Sequence, residues 1–240
     1  MVRSTVKTIS YTSGSRKVNA SRKVVARARA LLRGRMASGP RAPLRTGGFY
    51  GLYQQRGRNE LKFIDVTSSG TTATAGAVTL LNGVATGTDI TNRIGRKIMM
   101  KSILFRLDLQ TTATSLLGDF IRVLVVYDCQ TNTTTPAVTD VIVNNYNSPM
   151  NLSNRDRFKV LIDKHVIMNA CDLTGGVVAG GDPMPKYVKV YKKMNLEVIF
   201  GGVNSNVGSI NTGGIFLVLV SQNNALTTAT LYSRIRFEDS

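Results

Sequence analysis

The first 59 residues contain no acidic side chain, yet they carry fourteen basic ones, and Glu60 is the first carboxylate of the chain. A stretch so charged repels itself and has too little apolar surface to collapse alone, so a folded body has to be built from the residues that follow. From Glu60 onward seventeen basic residues face fourteen acidic ones, a net of +3 within the overall +17. Roughly 180 residues of near-neutral sequence are ample for one hydrophobic core. The chain therefore divides into a polycationic arm, residues 1–47, and a body, residues 48–240. Residues 37–48, rich in Gly, Pro and Ala, form the hinge at the junction.

Arginine outnumbers lysine in the first 59 residues by eleven to three. The planar guanidinium grips phosphate through two parallel hydrogen bonds, so this bias points to nucleic-acid backbone more than to generic charge. The residues expected to make those contacts are Arg16, Lys17, Arg22, Lys23, Arg27, Arg29, Arg33, Arg35, Arg41 and Arg45. Val24, Val25, Ala28, Leu31 and Leu32 fall on one helical face, with Ser21 placed as N-cap and Gly34 as stop. A helix of about a dozen residues is marginal in water, so the arm is expected to be disordered or helical only when bound. Tyr11, Phe49, Tyr50 and Tyr53 are available to stack on unpaired bases or to anchor the arm. No base-reading motif accompanies them, so binding is expected to be sequence-tolerant and salt-sensitive.

Beyond Glu60 the sequence changes to short runs rich in β-branched and aromatic residues. Leu61–Val66, Ile98–Gln110, Phe120–Asp128, Phe158–Asn169, Tyr187–Phe200, Ile215–Ser221 and Ala229–Phe237 read as strands separated by Gly, Asn, Thr and Ser. Thr67–Leu80 reads either as a further strand or as a loop, Gly201–Gly214 as a loop, and Pro136–Asn145 as the place for one short helix. No helical pattern alternates with the strands, which excludes a parallel βαβ sheet. The expected fold is all-β, a single eight-stranded antiparallel jelly-roll sandwich. No apolar run approaches the ~20 residues of a membrane-spanning helix, so stable membrane insertion is not expected. Cys129 and Cys171 cannot make a disulfide framework, and no secretory leader is recognisable.

Catalytic chemistry has little to work with. His165 is the single histidine, and Asp163, two residues away on the same strand, lacks the geometry of an orienting carboxylate, so His165 reads as a strand or interface residue. One His and two distant Cys make no zinc site. The pairs Gly175-Gly176, Gly180-Gly181 and Gly213-Gly214 lack the lysine and helix start of a phosphate loop and read as turns. Asp89, Asp119, Asp128, Asp140, Asp156 and Asp172 are of the type that holds structural calcium between subunits, but the sequence names no ligand set. Otherwise no cofactor and no enzyme activity are expected. Arg93, Arg96 and Lys97 form a second basic cluster, read either as facing an interior or as solvating a loop.

The order of these segments resembles the capsid proteins of small circular single-stranded DNA viruses that encode a replication initiator, the group of circoviruses and geminiviruses. The resemblance runs from the arm through Asn59-Glu60-Leu61-Lys62-Phe63-Ile64-Asp65 and Asn92-Arg93-Ile94-Gly95-Arg96-Lys97-Ile98. It continues through Ile121–Asp128 and Arg157–Asp163 to Tyr232-Ser233-Arg234-Ile235-Arg236-Phe237. It implies a jelly roll that self-assembles into a small icosahedral virion with the arm inward, packaging single-stranded DNA, with the arm doubling as a nuclear-import signal for host receptors. If sixty copies close the shell, their first 59 residues bring about 840 positive charges inside. Two alternatives remain: a coat protein of a satellite-type single-stranded RNA virus, and an organellar ribosomal or other nucleic-acid-binding protein.

Overall fold

The computed structural model describes residues 60–111, 117–169 and 185–239. The arm, and with it all ten residues expected to contact phosphate, lies outside the described residues, as do Cys171, Asp172 and the glycine pairs at 175–176 and 180–181.

Nine strands make up the described body: β1 (Leu61–Thr71), β2 (Ala77–Leu80), β3 (Lys97–Thr111), β4 (Asp119–Asp128), β5 (Phe158–Met168), β6 (Lys186–Phe200), β7 (Ile210–Thr212), β8 (Gly214–Ser221) and β9 (Thr227–Asp239). They form two antiparallel sheets, one in the order β1-β9-β3-β6-β7 and the other β2-β8-β4-β5. The chain crosses between the sheets at every connection except β4 to β5 and β6 to β7, and the first strand pairs with the last, so the fold is a jelly-roll-like sandwich. All seven strands read from the sequence are present. Thr67–Leu80 resolves into the end of β1, a turn and β2, while Gly201–Gly214 contains a 3₁₀ turn (Val207–Ser209) and β7, a ninth strand not expected from its Gly/Asn composition. A single helical turn, α1 (Val138–Val141), sits where one was expected. Among the described residues no helix is long and apolar enough to cross a membrane.

The inner faces meet in one core, in which Ile98, Met100, Ile103, Phe105, Leu107 and Leu109 of β3 pack with Ile121, Val123 and Val125 of β4 and Leu231, Ile235 and Phe237 of β9. The alternation of β3 changes phase because the ladder is bulged between Met100 and Ser102 against both neighbours. Gly213 turns the chain from β7 into β8 with φ +89, and a Cβ there would stand 2.3 Å from the Glu197 carbonyl, so glycine is required.

The two sheets differ on their outer faces. In the β2-β8-β4-β5 sheet, Leu124, Val126, Phe216, Val218 and Val220 are buried in a second core against Val141, Ile142 and Phe158. Residues 129–157, which connect β4 to β5, supply most of this cover. Two arginine–carboxylate pairs, each with one partner buried, fasten it to β4. Asp128, fully buried, receives Arg157 Nε and Nη2 at 2.9 and 2.8 Å, and Arg122 holds Asp163 at 3.1 and 2.8 Å while also donating to the Ser148 carbonyl. The hydrogen bond to Asp128 raises the pKa of Arg157 against the opposing effect of burial. Among the described residues no segment gives the outer face of the β1-β9-β3-β6 sheet such cover.

Across the sandwich, the Tyr127 hydroxyl donates to the Glu197 carbonyl at 2.7 Å and joins β4 to β6. Burial, with the charges of Cys129, Glu197 and Asp128, pushes the phenol up to about 12. A folded-state value above the ordinary ~10 means that this contribution is complete below pH ~10 and drains away as pH climbs toward 12. Tyr127→Phe is expected to cost about 1 kcal/mol at neutral pH. The stability gap between wild type and variant, followed by urea unfolding, should narrow from pH 10 upward. A gap unchanged at pH 12 would contradict the assignment.

Candidate functional site

In the second basic cluster one residue is structural. Arg93 is 2% exposed. Its guanidinium donates to the carbonyls of Val84 (3.2 Å), Gly95 (2.7 Å) and Gly202, and lies 4.1 Å over the Phe200 ring. Burial lowers its pKa; the Asp239 carboxylate opposes that shift and Arg96 adds to it. Arg96 Nε donates to the Phe200 carbonyl at 3.3 Å, and Lys97 pairs with Glu197 at 2.5 Å. For Arg93 the expectation of a residue facing an interior or solvating a loop is corrected, since it is spent on backbone carbonyls of two neighbouring loops; Arg96 and Lys97 remain exposed beside β6. Charge counted along a sequence assigns arginine to the surface, whereas Arg93 replaces the backbone donors that irregular loops lack.

The titratable residues considered for chemistry are engaged elsewhere. His165 is exposed on β5, and Asp163 is committed to Arg122 on β4. Asp119, 1% exposed, accepts from Thr227 Oγ1 (3.1 Å), Thr72 Oγ1 (3.4 Å) and the Asn223 amide (3.2 Å), closing one end of the sandwich. Asp140 caps α1 through the Ala137 amide, Asp89 receives Asn92, and Asp156 meets Arg155. Among the described residues no three His, Cys, Asp or Glu side chains of one subunit converge on a metal position.

Exposed apolar residues gather in two places instead. Ile90, Ile94 and Val203 stand on loops joined by the Thr86–Val203 and Arg93–Gly202 hydrogen bonds. Phe120 and Ile167 are register partners at the β5 edge, with Phe120 stacked on Tyr146 at 5.9 Å and Val143 and Leu152 exposed on the covering segment. Patches of this kind mark surfaces that other protein covers. Sequence reading missed both, because neither forms an apolar run.

The profile of the satellite tobacco necrosis virus coat protein family matches residues 55–240. Among solved structures the chain is similar to Desmodium yellow mottle tymovirus, at 13% identity over 75% of this chain and 89% of that one, with a TM-score of 0.33. It is also similar to the infectious bursal disease virus Gt strain, at 11% identity over 76% of this chain and 34% of that one, with a TM-score of 0.25. At these scores neither likeness adds to the assignment. No curated protein matches the chain. The resemblance to single-stranded DNA virus capsids therefore holds only as far as a viral coat protein; the lineage is corrected, since a basic arm on a jelly roll carries no mark of its genome type. The family match covers the whole described sandwich, and the chain belongs to the satellite tobacco necrosis virus coat protein family.

Proposed function

We propose that this coat protein closes in many copies, sixty in the smallest icosahedral arrangement, around a single-stranded genome, with residues 1–47 directed inward as a phosphate-binding arm and residues 48–240 as the shell. The family match over residues 55–240 carries this reading. It favours RNA over DNA as the cargo, because the coat-protein family belongs to RNA viruses. Electrostatic neutralisation serves either polymer. The two exposed apolar patches are the surfaces on which copies meet, and a closed shell hides them. An RNA cargo gives no reason for passage through the nucleus, so the import role of the arm is not part of this reading.

The test is negative-stain microscopy of the purified full-length protein, with the 260/280 nm absorbance ratio read on the same fraction and the contents digested by RNase or DNase after the shells are opened. Uniform small spheres with RNase-sensitive contents are expected. DNase-sensitive contents would return the genome to DNA. Monomers that bind nucleic acid without closing would remove the shell.

A further inference from the structure

The bare outer face of the β1-β9-β3-β6 sheet carries a surface that the arm does not account for. Register pairing sets Tyr232, Arg106 and Lys189 side by side across β9, β3 and β6. One row along in each direction, Tyr187 stands opposite Asp108 and Tyr191 opposite Leu104. Tyr187, Tyr191 and Tyr232 are 57%, 56% and 45% exposed, high for residues with this much apolar surface. Tyr187, Tyr232 and Arg106 line a shallow depression of about 470 Å³. Among the described residues Arg106 makes no ion pair, unlike Arg234, which Asp65 holds, and its buried Nε meets no acceptor. Among the described residues Asp108 is the single acid lining the depression, and its carboxylate accepts from Gln110.

We infer that this face is a second nucleic-acid site, a platform on which unpaired bases stack against Tyr187 and Tyr232 while Arg106 and Lys189 hold the adjoining phosphates. The inference deepens the packaging reading and rests on it. An open sheet face with projecting aromatic rings and interleaved cations is suited to single strands, since every base has a face to stack and a duplex hides it. A second copy of the chain fits less well: lysine is depleted at protein interfaces, and like charges on two such faces repel. The arm is sequence-tolerant and indifferent to pairing, so this face supplies a preference for unpaired regions of the cargo.

The experiment measures binding of full-length protein to a fluorescein-labelled 20-nucleotide RNA, single-stranded and annealed to its complement, by anisotropy across a salt series. Tyr187→Ala with Tyr232→Ala is expected to weaken single-strand binding about tenfold or more while duplex binding and the salt slope stay as in wild type. The corresponding double Phe variant should restore single-strand binding, because the ring and not the hydroxyl stacks. Arm substitutions (Arg22→Gln, Lys23→Gln, Arg27→Gln, Arg29→Gln) should weaken both RNAs and flatten the salt slope. Unchanged single-strand binding by the alanine variant overturns the platform; the packaging arm then stands if the arm variant loses binding and falls if it does not. Normal binding with lost particle formation also overturns the platform and makes the face a contact between copies. Should the alanine variant not fold, Arg106→Gln with Lys189→Gln is judged by the same single-strand loss.

Discussion

Protein lacking residues 1–47 is expected to form shells with little or no nucleic acid inside. The truncation removes twelve basic residues and no acidic one, while the described sandwich from Glu60 to Asp239 keeps both of its cores. For single strands each neutralised phosphate contributes about 0.7 to the slope of log K against log salt, so losing ten contacts removes a slope of about 7. At physiological salt this is a loss of a thousandfold or more in affinity, enough to let cargo escape during assembly. The absorbance ratio of purified particles should fall to that of pure protein. Binding that survives should be weak, only mildly sensitive to salt and confined to unpaired RNA, the signature of tyrosine stacking with the few phosphate contacts of Arg106 and Lys189. Shells from the truncated protein holding undiminished nucleic acid would contradict the role of the arm.

Arg93→Met should be among the most damaging single substitutions in the body. Methionine keeps the apolar stem but leaves the carbonyls of Val84, Gly95 and Gly202 without a donor in a site that is 2% exposed. Each orphaned carbonyl costs about 1–3 kcal/mol, so a total loss of about 3–5 kcal/mol is expected even after partial relaxation. That is a large share of the 5–15 kcal/mol by which domains are ordinarily stable. Arg93→Lys should recover less than half, because an ammonium on a flexible stem does not present three fixed donors to three separate carbonyls. The urea midpoint of unfolding measures both. Ile90, Ile94 and Val203 ride on the same loops, so assembly should fail at temperatures where the variant is still folded. A stability loss of under about 1 kcal/mol for Arg93→Met would show that the guanidinium is not the tie.

The strands were readable because their side chains carry the period. In β9, Tyr232-Ser233-Arg234-Ile235-Arg236-Phe237 alternates outward and inward as the structure has it, and the alternation itself announces one bare face. β4 and β8 do not alternate: every residue of β8 is buried, and that continuous run is the mark of a sheet covered on both sides. What covers it could not be read, since residues 129–157 make their cover from scattered contacts and one turn of helix. β7 was hidden for a related reason, being three residues long inside a Gly/Asn tract and paired through Ile210 and Thr212 alone. Arg93 and Arg106 lie on neighbouring stretches and look alike in sequence. One is buried on carbonyls and the other lines an open depression, a difference that arises only from where long-range pairing puts them. The genome type was the least legible property, because phosphate charge is common to both candidates.

The strand order has a consequence for when the protein becomes a building block. β8 lies between β2 and β4, and β9 between β1 and β3, so the last two of the described strands to be translated occupy interior positions of the sheets. Neither sheet can be closed while residues 214–239 are still within the ribosome. A nascent chain therefore has residues 1–47 outside the ribosome long before its sandwich is finished. Long-range pairing of this kind is slow to form. The delay leaves the sandwich, and with it any surface offered to a neighbouring copy, unfinished until these two strands have paired.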